Sequence, residues 1–197
     1  NFSKKLKVKY KTQHTKNDWI QSSADLEPVL EALKKAEFIT IDTEFHREKT
    51  YYPKLCLIQI ATPNLEPVAI DPLAGDLDLA PLWQVLAASP APVVLHAGSQ
   101  DLDIFYRAHG TLPQNLFDTQ VAAMVLGFGD QISYANLVKH YCDIEIDKGA
   151  QFTDWARRPL TSRQLTYALS DVDHLREIYT RIQEDLAANN RAAWGAE

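Results

Sequence analysis

The chain has 197 residues, 46% of them hydrophobic, enough to bury one substantial core, so a single domain is expected. A net charge of −6 argues against nucleic-acid binding through overall basicity, and no apolar run approaches the length of a membrane span. Cys56 and Cys142 lie far apart in apolar segments without metal or disulfide spacing, and no signal peptide is recognisable. They read as reduced core thiols of an intracellular, cytoplasmic protein.

The charge is unevenly spread. Lys4, Lys5, Lys7, Lys9, Lys11 and Lys16 all precede the first acidic residue, Asp18. Residues 1–20 therefore read as a basic arm, either a solvated and partly disordered tail or a segment that touches phosphates. The first residue is Asn1 rather than Met, so a trimmed or replaced start is expected. Ser23 to Ala36 carries Leu26, Val29, Leu30 and Leu33 at helical spacing, with Ser23 or Asp25 as the cap.

Phe38 to Glu44 then reads as a short buried strand that ends by presenting Asp42 and Glu44. Strand side chains alternate, so these two carboxylates point to the same face. Side by side at about 4 Å they repel by roughly 4 kcal/mol at an effective dielectric near 20. A divalent cation such as Mg²⁺ or Mn²⁺ compensates that repulsion and prefers such oxygens. An isolated Asp-x-Glu more often only begins a turn, so the rest of the chain has to decide.

Phe45 to Lys54 is polar and aromatic and reads as a loop. Leu55 to Ala61 alternates like a strand, Pro63-Asn64 marks a turn, and Pro67 to Ile70 is another strand, which together suggest an antiparallel meander. A helix over Leu79 to Ala88 leads to a buried strand over Val93 to His96. From there helices are expected over Gln100 to His109, from a cap at Asp118 to Leu126, and from a cap at Ser133 to Tyr141. Asp143 to Asp154 reads as a loop. Thr161-x-x-Gln164 is a capping box opening a long helix to about Asn189. This order implies an α/β fold, a mixed β-sheet flanked by α-helices.

Two further acidic positions join the Asp-x-Glu pair. Asp101 lies just past the Val93–His96 strand at the start of a helix, where α/β sites usually form, although the helix dipole alone also favours an Asp there. Tyr167 and Asp171 are four apart in the long helix and share a face that continues into Leu175 and Ile178. A carboxylate beside that packed side needs a metal or a hydrogen-bond partner.

Asp42-Thr43-Glu44, then His96-Ala97-Gly98-Ser99-Gln100-Asp101, then Tyr167-x-x-x-Asp171, in this order, resemble the DEDDy 3′→5′ exonucleases and, more narrowly, bacterial ribonuclease D. Tyr51 to Gln59, Ile70-Asp71-Pro72-Leu73, Asp118-Thr119-Gln120, Thr153-Asp154-Trp155 and Arg158-Pro159-Leu160 also match that family's phrasing. The related DEDDh enzymes place a histidine where this chain has Thr166, which favours the tyrosine branch. The match spans roughly residues 24 to 187. Full-length ribonuclease D carries C-terminal helical domains and this chain stops at Glu197, so a single-domain relative or a fragment is expected.

The resemblance implies an RNase H-like fold with an exonuclease domain over residues 21–190 and a tail over 191–197. It also implies a metal-dependent exoribonuclease that releases nucleoside 5′-monophosphates from RNA 3′ ends, using two divalent cations. One ion would take Asp42, Glu44 and Asp171; the second would bridge from Asp42 to the phosphate, with Asp101 reaching it through water. Tyr167, with an ordinary phenol pKa near 10, would orient the attacking water rather than act as a base. Thr43, Phe45, His46 and His96 are the candidate substrate contacts, and Lys54, Lys148, Arg157 and Arg158 the candidate phosphate contacts. Asp118 and Asp154 read as capping or loop residues. The implied partner is structured RNA such as a tRNA precursor; single-stranded DNA, or a catalytically inactive nucleic-acid-binding domain, are the rivals.

Overall fold

The computed structural model describes residues 18–46 and 53–189. Most of the expected arm (1–17), the middle of the expected Phe45–Lys54 loop (47–52) and the expected tail (191–197) lie outside the described residues.

A six-stranded mixed sheet organises the molecule, in the order β1-β4-β3-β2-β5-β6. β2 (Ile39–His46), β3 (Lys54–Thr62) and β4 (Leu65–Ile70) form the expected antiparallel meander. β5 (Val93–Leu95) pairs in parallel with β2, and β6 (Leu116–Asp118) in parallel with β5. β1 (Trp19–Ile20) pairs in parallel with β4, so the end of the stretch read as an arm is a strand. β1 and β6 escaped sequence reading because Trp19-Ile20 and Leu116-Phe117-Asp118 lack the unbroken apolar run, rich in β-branched residues, that marks β5; main-chain pairing with a neighbour makes them.

The loop expected over Phe45–Lys54 is also strand at both ends. Phe45 faces Leu55 and His46 faces Lys54, beyond a one-residue register slip after Glu44. Polar side chains hid this continuation, because a ladder needs main-chain partners rather than apolar residues. Such a bulge beside a functional site commonly re-aims the side chains next to it.

One face of the sheet carries Ile39, Ile41, Ile58 and Ile60 against α1 (Ser23–Leu33), α2 (Ala80–Ala88) and α3 (Ser99–His109). α6 (Ser162–Ala188) crosses the other face, where the Thr40 hydroxyl donates to the Val172 carbonyl at 2.9 Å. α4 (Thr119–Val125) and α5 (Tyr134–Cys142) complete that layer through Ala122, Ala123, Leu137 and Val138 packed with Leu175, Ile178 and Ile182. Local chemistry sets the helix starts. Asp118, Ser133 and the Thr161/Gln164 box cap as expected. α1 differs: Ser22, whose backbone is extended, is the cap, and the helix ends at Leu33 rather than Ala36. Among the described residues, no helix is long and apolar enough to cross a membrane.

Candidate active site

β2 ends at the carboxyl edge of the sheet and delivers Asp42 and Glu44 on the face that α6 covers. α6 brings Asp171 down onto the pair, and the three residues present carboxylate oxygens within 4.8 Å of one another. Thr43, between them, points to the opposite face and donates its hydroxyl to the buried carboxylate of Asp101, in the first turn of α3. Asp101 and Asp171 thus approach the same strand end from opposite faces.

The turn that carries Asp101 is built for the purpose. The Ala97 and Gly98 main-chain N–H groups each donate to the Asp118 carboxylate at 3.0 Å. Ala97 takes a positive φ of 53°, and a Cβ on Gly98 would come within 2.8 Å of Leu95 Cβ, so glycine is required there. Asp118 also accepts from Gln120 N–H at 2.8 Å, and Asp154 accepts from Ala156 N–H at 3.0 Å. Both therefore act as the capping and loop residues expected.

Burial dominates the electrostatics. It pushes Asp42 well above the usual carboxylate range, with Asp101 and Asp171 adding repulsion. Burial, then Asp42, raises Glu44 to about 10, and burial raises Asp171 to about 7 even against a hydrogen bond from Tyr167. Asp101 is raised by burial and eased by Thr43. A cluster that resists ionisation this strongly is waiting for positive charge. Asp171 Oδ1 is buried and accepts no hydrogen bond, an orphaned atom pointing to the same need. A donor set made only of carboxylate oxygens fits a hard divalent cation.

Tyr167 lies one turn before Asp171. Burial and the neighbouring carboxylates raise its phenol far above its ordinary value, so it stays protonated and donates to Asp171. These residues line a cleft of about 300 Å³, together with Thr43, Phe45, His96 and Tyr134.

Other expected contacts fare differently. His96 lines the cleft, but its Nδ1 sits 3.0 Å from the Thr119 hydroxyl, which itself donates to the Leu95 carbonyl at 3.0 Å. The ring is thereby fixed in the wall, and burial lowers its proton affinity. His46, at the end of β2, is not among the cleft-lining residues. Lys54 and Arg157 are exposed, and the Lys148 side chain lies outside what is described.

Arg158 is no free phosphate contact. It grips buried Asp71 with two hydrogen bonds, at 2.6 and 2.9 Å, donates to the Cys56 carbonyl at 2.6 Å, and stacks over Trp19. This clamp ties the Trp155–Leu160 segment to β3 and β4, and Trp155 packs beside Tyr167. Sequence reading also missed Tyr134, at the start of α5. Its hydroxyl donates to the Asp171 carbonyl. The two residues are 37 positions apart, and no local pattern joins them.

Comparison with known proteins places this geometry. A sequence model described as 3′-5′ exonuclease matches residues 17–187. Ribonuclease D of Zymomonas mobilis is 50% identical over 176 residues, covering 89% of this chain and 45% of that protein. The crystal structure of Escherichia coli RNase D superposes with a TM-score of 0.82 at 38% identity, over 87% of this chain and 45% of that one. Brucella melitensis NrnC with bound Mg²⁺ gives 0.72 at 26% identity, over 83% of this chain and 80% of that one. The chain thus spans a little under half the length of the ribonuclease D relatives it matches. The sheet is the expected RNase H-like one, and the ribonuclease D resemblance read from the motifs holds. With its acids gathered at the strand edge and the match running through nearly all of the described chain, this protein belongs to the 3′-5′ exonuclease family.

Proposed function

We propose that this domain is a metal-dependent 3′→5′ exoribonuclease that removes nucleoside 5′-monophosphates one at a time from RNA 3′ ends. The observation that carries the reading is the convergence of Asp42, Glu44 and Asp171 on one point beside the protonated Tyr167. Asp42, Glu44 and Asp171 would hold one Mg²⁺ or Mn²⁺, and Asp42 with Asp101 would serve a second. Bound there, such a pair supplies charge neutralisation for the scissile phosphate and a water acidic enough to attack near neutral pH.

The chain's own residues do the rest. Tyr167 keeps its proton, so it orients the attacking water by hydrogen bonding and does not act as its base. Thr43 holds Asp101 in place, and Phe45 offers a ring at the cleft wall on which the terminal base can stack. His96, fixed by Thr119, shapes the cleft beside that base.

Structured RNA is the proposed substrate class, in keeping with the Escherichia coli relative's part in structured RNA processing; a tRNA precursor, met in the cytoplasm, is the expected instance. Single-stranded DNA is the rival substrate, and an inactive binding domain the rival class. Digestion of matched 3′-labelled RNA and DNA oligonucleotides with Mg²⁺ or Mn²⁺ separates all three. Release of labelled nucleoside monophosphate from RNA is expected; preferential loss of label from DNA, or RNA binding without cleavage, would refute the proposal.

A further inference from the structure

Gln59 lies in the middle of β3, wholly buried, and neither its amide nitrogen nor its amide oxygen has a hydrogen-bond partner. Buried polar groups are nearly always paired, so an amide with both ends unmet asks for an explanation. Its position in the sheet supplies one. Gln59 stands directly opposite Asp42 in the antiparallel β2–β3 register. Directly opposed residues project from the same face with Cβ atoms about 4.5–5.5 Å apart, within reach of a side chain as long as glutamine.

On the same face the diagonal neighbours of Gln59 on β2 are Thr40 and Glu44, and the Thr40 hydroxyl is already committed to the Val172 carbonyl. The neighbour of Gln59 across the β3–β4 pair is Ala69. Where α6 covers this face, Ala168 and Leu169 pack against Leu57 and Ala69. Across the β2–β3 pair, the side chain directly opposite the amide is the Asp42 carboxylate.

We propose that Gln59 is a positioning residue for Asp42. With the site loaded, its Nε2–H would donate to a carboxylate oxygen of Asp42 and fix the orientation of that ligand. The β2–β3 register brings the amide within reach of that carboxylate. Ligating carboxylates are commonly held by such an outer hydrogen bond, and its loss typically weakens metal affinity 10–100-fold. The inference rests on the metal-site reading above.

The test compares the wild-type protein with Gln59→Met, a near-isosteric apolar replacement, in calorimetric Mn²⁺ titrations and in melting without cation. A core-filling glutamine predicts an equal or higher melting temperature and unchanged Mn²⁺ affinity. The positioning role predicts an equal or higher melting temperature with Mn²⁺ affinity lowered about tenfold or more. Identical titrations overturn the proposal. A wild-type protein that takes up no Mn²⁺ overturns the metal site as well, so the two failures are distinguishable. Should Gln59→Met fail to fold, the wild-type Gln59 side-chain amide resonance, assigned through its own bonds, decides. Addition of Mg²⁺ should shift it and slow its hydrogen exchange; no change in either overturns the proposal.

Discussion

Replacing Asp171 with Asn should destroy activity and, in the absence of cations, make the protein more stable. Asp171 is 6% exposed, and its carboxyl rises from the usual 3.8 to about 7, burial being the cause. A folded-state value raised above the unfolded one means that the native protein holds its proton more tightly. Stability is then full below about pH 4 and is lost as pH rises through about 7. At about 1.4 kcal/mol for each tenfold change in proton affinity, ionising Asp171 in the folded state costs about 4 kcal/mol above that range. Repulsion between unit charges 4.8 Å apart is about 3.5 kcal/mol at an effective dielectric of 20, a similar size. Sharing of protons with Asp42 and Glu44 reduces the gain to about 2–4 kcal/mol, or roughly 5–10 °C in melting temperature for a chain of this length. Calorimetric melting of wild type and Asp171→Asn, with chelator present, should show that gain at about pH 8 and its disappearance toward pH 4. Mg²⁺ should then raise the wild-type melting temperature and leave the variant nearly unmoved. A variant that melts with or below the wild type at about pH 8 would refute the cost assigned to burying the ionised Asp171 carboxylate.

Tyr167→Phe should lower turnover roughly 10–100-fold, more than its weakened hold on Asp171 costs at saturating Mn²⁺; a full rate would remove the phenol from the mechanism. Arg158→Met should lower stability by about 3 kcal/mol in urea unfolding, because it takes the cation from the buried Asp71 carboxylate and leaves it only the Leu73 main-chain N–H and the Gln21 amide. A normal midpoint with only weaker RNA binding would make Arg158 a phosphate contact after all. Tyr134→Phe should cost about 1 kcal/mol through loss of its bond to the Asp171 carbonyl, read in the same unfolding assay.

Much of the site was legible because its parts obey local rules. Alternation along β2 put Asp42 and Glu44 on one face, and helical spacing put Tyr167 above Asp171. The caps at Asp118, Ser133 and Thr161 follow from side chains that bond main-chain groups two or three residues on. What the pattern missed was long-range. Arg158 looked like a surface cation, yet its partner Asp71 is 87 residues away. The hydrogen bond from Thr43 to Asp101 joins residues 58 positions apart, which no local pattern links.

The sequence by itself therefore determined which groups are candidates for the chemistry and which helices and central strands carry them, since periodicity and capping act over a few residues. Only the tertiary structure decided the edge strands β1 and β6, the Asp71–Arg158 clamp, the anchoring of α6 by Tyr134, and the place of Gln59 beside Asp42. Each of these depends on which distant segment ends up alongside. A buried polar group takes whatever partner the packed chain brings within reach, and burial sets what that partner is worth.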